Sequence, residues 1–389
     1  MVESRLCAKA RLPRLYYMSA SRAFALTSAL LGGALSVFWS TASAAEVPHD
    51  FHISLTPENV CLWHFEAQKA PILKIKSGAT VQIDGGGGVR WADGVDPDTW
   101  LRENNIHTTV AQCPALAETI KVLKDAPRPP GRPTGKHILV GPIYVEGAEP
   151  GDSLEIRILD VTPRIPYGAT SGSPGGGGLP DLVPRPFTKV THLDLKRNVG
   201  VFDKNVEVPL KPFMGVMATC PPDSAGEFPS SSPPGLFGGN LDCRELSAGS
   251  TLFLPIFQKG ALFYTGDSHA GQGDGEVTGN AIETADQCTL KFILHKGVAL
   301  SAPRAETPTD YITFGLDPDL NKAMHMAIVE TIKFLGEKQG YNFTDAYALA
   351  SIAVSFRVTQ NVDKTLGVHG MIPKSLFIHD KPKYWTSSP

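Results

Sequence analysis

The chain has 389 residues, 42% of them hydrophobic, and a formal net charge of −3. That fits a globular protein with a sizeable core, folded as one large domain or two intimate ones. No basic stripe points to nucleic acid and no acidic run to a solvated tail, while 38 Gly and 32 Pro favour many turns and short strands over long helices.

In chain order, the first 44 residues read as a secretory signal peptide. Arg22 precedes an apolar run from Phe24 to Trp39, and Thr41-Ala42-Ser43-Ala44-Ala45 supplies a small-residue cleavage site. The run is shorter than the ~20 residues a membrane span needs. Cleavage after Ala44 is the expectation, with an uncleaved anchor as the alternative, and Met18 is a second candidate start. Losing residues 1–44 removes five basic residues and one acidic one, taking the net charge from −3 to −7. The protein is therefore expected to be exported, periplasmic or secreted, without stable membrane insertion after cleavage, and the domain to run from 45 to 389.

Pro71–Lys76 and Thr80–Ile83 alternate around Ser77-Gly78, the signature of a hairpin. Asp84 is followed by four glycines, which suit a close backbone approach or a mobile loop. Residues 114–124 predict a helix ended by the Pro-rich stretch 126–134. Strands are expected over 138–146 and 153–161, and a long loop over 163–186. A second loop follows at 221–239. Further strands are expected over 251–257, 261–265, 276–286 and 288–294. From Leu320 apolar residues recur at helical spacing as far as Gly336 and Gly340, and a second helix starts near Thr344-Asp345. The pattern is α+β and β-dominated: a sandwich or barrel-like β body with two C-terminal helices packed on it.

Five cysteines fall after residue 44: Cys61, Cys113, Cys220, Cys243 and Cys288. The number is odd and no Cys-x-x-Cys occurs, which argues against a zinc ribbon; buried small hydrophobes are the default.

Chemistry concentrates in Gly266-Asp267-Ser268-His269-Ala270-Gly271-Gln272-Gly273-Asp274-Gly275-Glu276. If extended, Asp267 and His269 share a face, as do Asp274 and Glu276. An imidazole among carboxylates suits zinc; oxygens alone suit calcium or magnesium. The bland reading is a polar turn between strands. Asn240 and Asp242 again share a face, His137 opens a strand that ends at Glu146, and Glu283 follows the cluster by seven residues. His192, His295, His325 and His369 have no partner in the sequence. There is no Gly-x-Ser-x-Gly elbow and no His-Glu-x-x-His, so a metal-activated water is the economical nucleophile.

Gly141 to Asp152, Gly238 to Asp242, Gly266 to Glu276 with Glu283, and Ala346 to Lys374 together resemble the acetamidase/formamidase family, in family order over roughly 50–378. The resemblance implies a β-rich sandwich with peripheral helices, homo-oligomeric assembly, a small amide as substrate and a divalent metal, zinc ahead of calcium. It implies Asp267, His269, Glu276 and Asp242 as metal ligands, with His137 and Glu146 next. Glu146, Glu283 and Asp274 are the catalytic candidates, Glu146 or Glu283 as general acid, and backbone N–H groups of Gly271–Gly275 are expected at the oxyanion. The expected reaction is metal-dependent hydrolysis of the C–N bond of a small linear amide to carboxylate and ammonia. The alternative is an exported metal- or ligand-binding module without turnover. Asp84–Gly88 replaces the family's Glu-Thr-x-Asp-like stretch, which leaves substrate identity open.

Overall fold

The structure is a computed structural model that describes residues 47–379 except 134 and 136. The expected signal peptide and its cleavage site lie outside the described residues.

Nineteen strands and four helices make up the described chain. The first half contains β1 (Phe51–Ile53), β2 (Val60–Leu62), β3 (Leu73–Ile75), β4 (Thr80–Asp84), α1 (Pro97–Glu103), α2 (Pro114–Asp125), β5 (Ile138–Val145), β6 (Ser153–Pro163), β7 (Tyr167–Gly172) and β8 (Phe187–Asp194). Next come β9 (Val199–Asp203), β10 (Val206–Pro209), β11 (Phe213–Ala218), β12 (Gly238–Asn240), β13 (Thr251–Pro255), β14 (Phe263–His269) and β15 (Asp286–His295). The chain closes with β16 (Arg304–Glu306), β17 (Asp310–Asp317), α3 (Leu320–Gln339), α4 (Phe343–Ala353), β18 (Ser355–Gln360) and β19 (Leu366–Pro373).

A nine-stranded sheet in the order β1-β4-β15-β6-β13-β16-β17-β19-β18 packs on a six-stranded sheet in the order β12-β11-β14-β5-β2, with β3 added beside β5. A four-stranded ribbon, β10-β9-β8-β7, forms the third sheet. Inward residues of β6, β13 and β15 (Ile156, Leu252, Phe292) meet those of β5 and β14 (Val140, Phe263) in one apolar core, and the Phe263 and Phe292 rings stand edge to face at 5.0 Å.

The fold is the expected α+β type with a β-rich body. Several local expectations change. β3 and β4 are not a hairpin: β3 pairs parallel with β5 and β4 antiparallel with β15. The turns after β3 and β5, and the one between β13 and β14, each carry the chain from one sheet to the other, because both faces of the core need the apolar side of an alternating strand. The stretch 163–186 is not one loop, since β6 runs to Pro163 and β7 pairs with β8. Residues 276–285 are not a strand: Glu276 and Gly279 take positive φ, which breaks extension. β18 and β19 follow the helices and return to the nine-stranded sheet, so the helices are not the end of the fold.

Asp319 caps α3 by accepting from Asn321 N and Lys322 N. The helix runs through Gly336 and ends at Gly340 in the left-handed region. It covers the outer side of β17, where Thr313 and Thr331 hydroxyls meet at 2.7 Å. No described helix is long and apolar enough to cross a membrane. At Gly315 an added Cβ would stand 2.0 Å from Ala323 O in α3. Gly315→Ala is expected to cost roughly 1–3 kcal/mol by overpacking, read as a lower thermal midpoint; an unchanged midpoint would contradict this seating of the helix.

Candidate metal and catalytic site

β14 ends at Asp267-Ser268-His269, and β11 runs beside it with Met214 opposite Ser268. The turn after β12 brings Asp242 to β11, donating its N–H to Gly215 O. Gly275 N donates to Thr359 O and Asn361 N to Gly275 O. Those bonds tie the Glu276 loop to the β18–β19 turn, which carries Asp363. Ala270 N donates to Ile282 O, laying Glu283 beside β14, and His137 enters just before β5.

These segments converge on one imidazole. His269 is fully buried, Asp242 is 1% and Glu276 6% exposed. His269 Nε2 lies 3.4 Å from Asp267 Oδ2 and 3.3 Å from Glu283 Oε1, and its Nδ1 lies 3.9 Å from Asp242 Oδ1. His137 Nε2 stands 3.8 Å from Asp267 Oδ2. Arg90 pairs with Glu283 Oε2 at 3.1 Å while Ala281 N donates to Oε1 at 3.0 Å. Asn240 Nδ2 donates to Asp363 Oδ2 at 2.9 Å. Asp267, Glu276, Glu283, Asp363 and His137 line a cleft of about 340 Å³, together with Gly86, Gly87, Gly88 and Trp63.

The backbone is unusual where the acids sit. Among the described residues nine non-glycines have positive φ, and three of them are Asp242 (47°), Asp267 (59°) and Glu276 (42°). Each costs on the order of 1–3 kcal/mol, strain that persists where the surrounding structure over-determines it. Asp267 and His269 do converge, but through a left-handed Asp267 rather than an extended segment. Gly215 lies under them: a Cβ there would come 2.6 Å from Asp242 Oδ1 and 2.8 Å from Asp267 Oδ2, so its absence leaves space between the acids.

The electrostatics are those of too many carboxylates in one dry place. Burial, reinforced by Glu276, Asp267 and Asp363, drives the Asp242 carboxyl well above its usual range. Burial, with Asp363 and Glu283 adding to it, also raises Glu276. Burial would likewise raise Asp267, but His137 and His269 outweigh it and hold that group low. Burial opposes charge on His269, yet Glu283 and Asp267 carry it well above its ordinary value. Both oxygens of Asp242, both nitrogens of His269 and Glu276 Oε2 make no hydrogen bond. Orphaned donors of types O, N and O around a space that a Cβ would fill fit a divalent cation. Two trios have ligand atoms close enough to share one: Asp242–His269–Glu276 and Asp267–His269–Glu283.

Of the expected residues, Asp242, Asp267, His269, Glu276, Glu283 and His137 come together. Glu146 does not. It is exposed in the turn at the far end of β5 from His137, and its N–H donates to Ile75 O; an eight-residue strand separates the two. Asp274 does not either. Positive φ at Gly275 and Glu276 turns it outward, toward Arg357 at 4.0 Å. Gly271 and Gly273 border a different cleft and Gly275 N is used by Thr359, so the expected oxyanion stretch also lies elsewhere. Gly86–Gly88 line the site instead, because Thr284 O and Ile165 would clash with side chains at Gly87 and Gly88. Asp84 is structural, accepting from His52 and Gln287.

Three residues were not anticipated: Arg90, Asp363 and Asp286. Asp363 sits in an Asn-Val-Asp turn whose only sequence signal is turn chemistry; its role depends on pairing between strands far apart in the chain. Asp286 begins β15, is fully buried with both oxygens unbonded, and burial pushes its carboxyl up to about 8. In the unfolded chain that group ionises near its ordinary value of 3.8. Its proton therefore stabilises the fold fully below about pH 4 and progressively less as pH rises toward 8. Asp286→Asn, which keeps the shape without the proton, should gain thermal midpoint relative to the parent as pH rises from 5 to 8. A difference independent of pH would contradict the raised value.

The Acetamidase/Formamidase family model matches residues 132–230 and 223–379. A formamidase of Methylophilus methylotrophus is 30% identical over 291 residues, 57% of this chain and 71% of that protein. An acetamidase of Mycolicibacterium smegmatis is 29% identical over 220 residues, 41% of this chain and 54% of that one. The solved acetamidase of Bacillus halodurans superposes with a TM-score of 0.68 at 28% identity, covering 84% of this chain and 98% of that structure. With its site geometry, its sheet order and these matches, the chain belongs to the acetamidase/formamidase family.

Proposed function

We propose that the chain hydrolyses the C–N bond of a small linear amide to a carboxylate and ammonia, with a divalent metal held by Asp242, His269 and Glu276. The observation that carries this reading is the set of buried, unbonded donor atoms on those three side chains, of which Glu276 lines the Glu283–Asp363 cleft. Zinc suits the imidazole in the set; calcium would rely on the oxygens. When bound, such an ion supplies Lewis acidity toward a carbonyl oxygen and acidifies water.

The chain's own groups account for the proton movements. Glu283 is fixed by Arg90 and Ala281 N, with Oε1 3.3 Å from His269 Nε2, and is placed to accept the proton that the attacking water loses. The water oxygen bonds to the carbonyl carbon and the C–N bond breaks. Amide nitrogen is a poor leaving group and needs a proton as it departs. Asp363 borders the same cleft and, among the described residues, no arginine pairs with it; burial, opposed by His137 and aided by Asp267, lifts its carboxyl to about 6. That makes it the proton donor. The glycine backbone of 86–88 lets a planar amide approach without side-chain interference.

His269→Ala should abolish ammonia release from formamide and acetamide and lower bound metal. Asp363→Asn should keep the metal and lose roughly 10²–10⁴-fold in kcat. Chelation should stop the parent enzyme and zinc should restore it. Wild-type turnover by His269→Ala, or full activity after verified metal removal, would sink the reading.

A further inference from the structure

A second group of metal-ligating side chains lies outside this site. Cys243 and Glu245 follow Asp242 in the turn after β12, and His369 sits in β19. All three are buried, at 0%, 5% and 0% exposure. Cys243 Sγ is 3.5 Å from Glu245 Oε2, and His369 Nε2 is 3.4 Å from the same oxygen. His369 Nε2 makes no hydrogen bond although it is buried and aimed into the group.

The His369 spacing separates an ion site from a hydrogen-bonded trio, since the 3.5 Å between Cys243 Sγ and Glu245 Oε2 fits an S–H donor as well as a shared ion. A ring N–H at 3.4 Å from a carboxylate is long for a hydrogen bond, whose usual range ends near ~3.2 Å. For tetrahedral zinc, with bonds of about 2.3 Å to sulfur and about 2.0–2.1 Å to nitrogen and oxygen, the edges come to about 3.5 Å for S···O and about 3.4 Å for N···O. Both observed separations match. The outer partners also fit. Thr359 Oγ1 lies 2.8 Å from His369 Nδ1, so a proton held on Nδ1 leaves the Nε2 lone pair facing the trio. Arg357 donates to Glu245 Oε1 at 3.2 Å, leaving Oε2 for the centre. Such partners fix ligand orientation in metal sites.

The other cysteine-containing trio makes a useful contrast. Around Glu66 Oε2 the distances are 3.9 Å to Cys61 Sγ and 3.7 Å to His64 Nε2, both too long, and Tyr264 also contacts the Cys61 sulfur. A Cys243 nucleophile is disfavoured for a different reason. Neither Cys243 nor His369 borders the clefts that flank Glu245 and the Asp363 site, so no substrate reaches the sulfur.

We propose that Cys243 Sγ, Glu245 Oε2 and His369 Nε2 form a second metal site, selective for a zinc-class ion, that pins the β12 turn to β19. Its fourth position falls to water on the Glu245 side, next to the cleft shared with Arg357. The thiolate sets its preference: sulfur selects zinc over calcium and magnesium, whereas the Asp242–His269–Glu276 set is mostly oxygen. By joining residues next to Asp242 to the strand pair that carries Asp363, this site would brace both walls of the catalytic cleft. It stands independently of the amidase reading.

The test is zinc-edge X-ray absorption with metal counting on the full-length protein, purified under reducing conditions and loaded with zinc. A sulfur shell at about 2.3 Å is expected in the parent, and it should persist in His269→Ala. Cys243→Ser should lose about one zinc equivalent and the sulfur shell. If Cys243→Ser does not fold, His369→Gln and the parent spectrum decide, since the parent must show sulfur either way. A purely oxygen–nitrogen shell in the parent, or unchanged zinc and sulfur in a folded His369→Gln, overturns the proposal and leaves the amidase reading intact. A sulfur shell in a protein with no metal-dependent turnover does the reverse.

Discussion

The constraint on which this site rests is the crowding of five carboxyl groups around one buried imidazole. Asp242, Asp267, Glu276, Glu283 and Asp363 cannot all ionise in a dry pocket with only His269, His137 and Arg90 to offset them. Without another cation the group resolves the conflict by protonation, raising Asp242 and Glu276 while His269 is held charged. A divalent ion, as proposed, would resolve it more completely, because it would satisfy lone pairs that make no hydrogen bond.

The rest of the fold reads as the apparatus that enforces this crowding. Left-handed backbone at Asp242, Asp267 and Glu276 would relax in an isolated loop. It persists because β11, β14 and the β18–β19 turn fix each segment from outside through hydrogen bonds that do not involve the side chains at issue. Gly215 keeps the space among the acids open, and Gly86–Gly88 keep the backbone of the opposite wall bare. Strands that cross between sheets after short turns bring residues near in sequence, such as β13 and β14, to opposite sides of one core, and residues far apart, such as Asp242 and Asp363, to one pocket.

Much of the site was readable because its chemistry is dense in sequence. Asp267, His269 and Glu276 lie within ten residues of one another between glycines, and Asp242 carries the same polar-turn character. The long helix declared itself through its apolar spacing and Gly340. What failed were inferences about direction and pairing. Glu146 lies just past the far end of the strand that His137 precedes. Asp274 was assigned to the face of Glu276 on the assumption of an extended chain, which the positive φ of Glu276 forbids. Short alternating runs around Ser77-Gly78 looked like a hairpin because local pattern fixes which face is apolar, not which sheet the strand joins. Arg90 and the Cys243–Glu245–His369 group had no local signal, and Asp363 had only that of a turn. Each acquires its meaning only from a partner more than a hundred residues away.

The most direct test of the central claim is anomalous scattering at the metal edge from crystals of the zinc-loaded protein. The account predicts a peak bounded by Asp242, His269 and Glu276 at the head of the Glu283–Asp363 cleft. A fully active, metal-replete enzyme with no peak among those three side chains would contradict it.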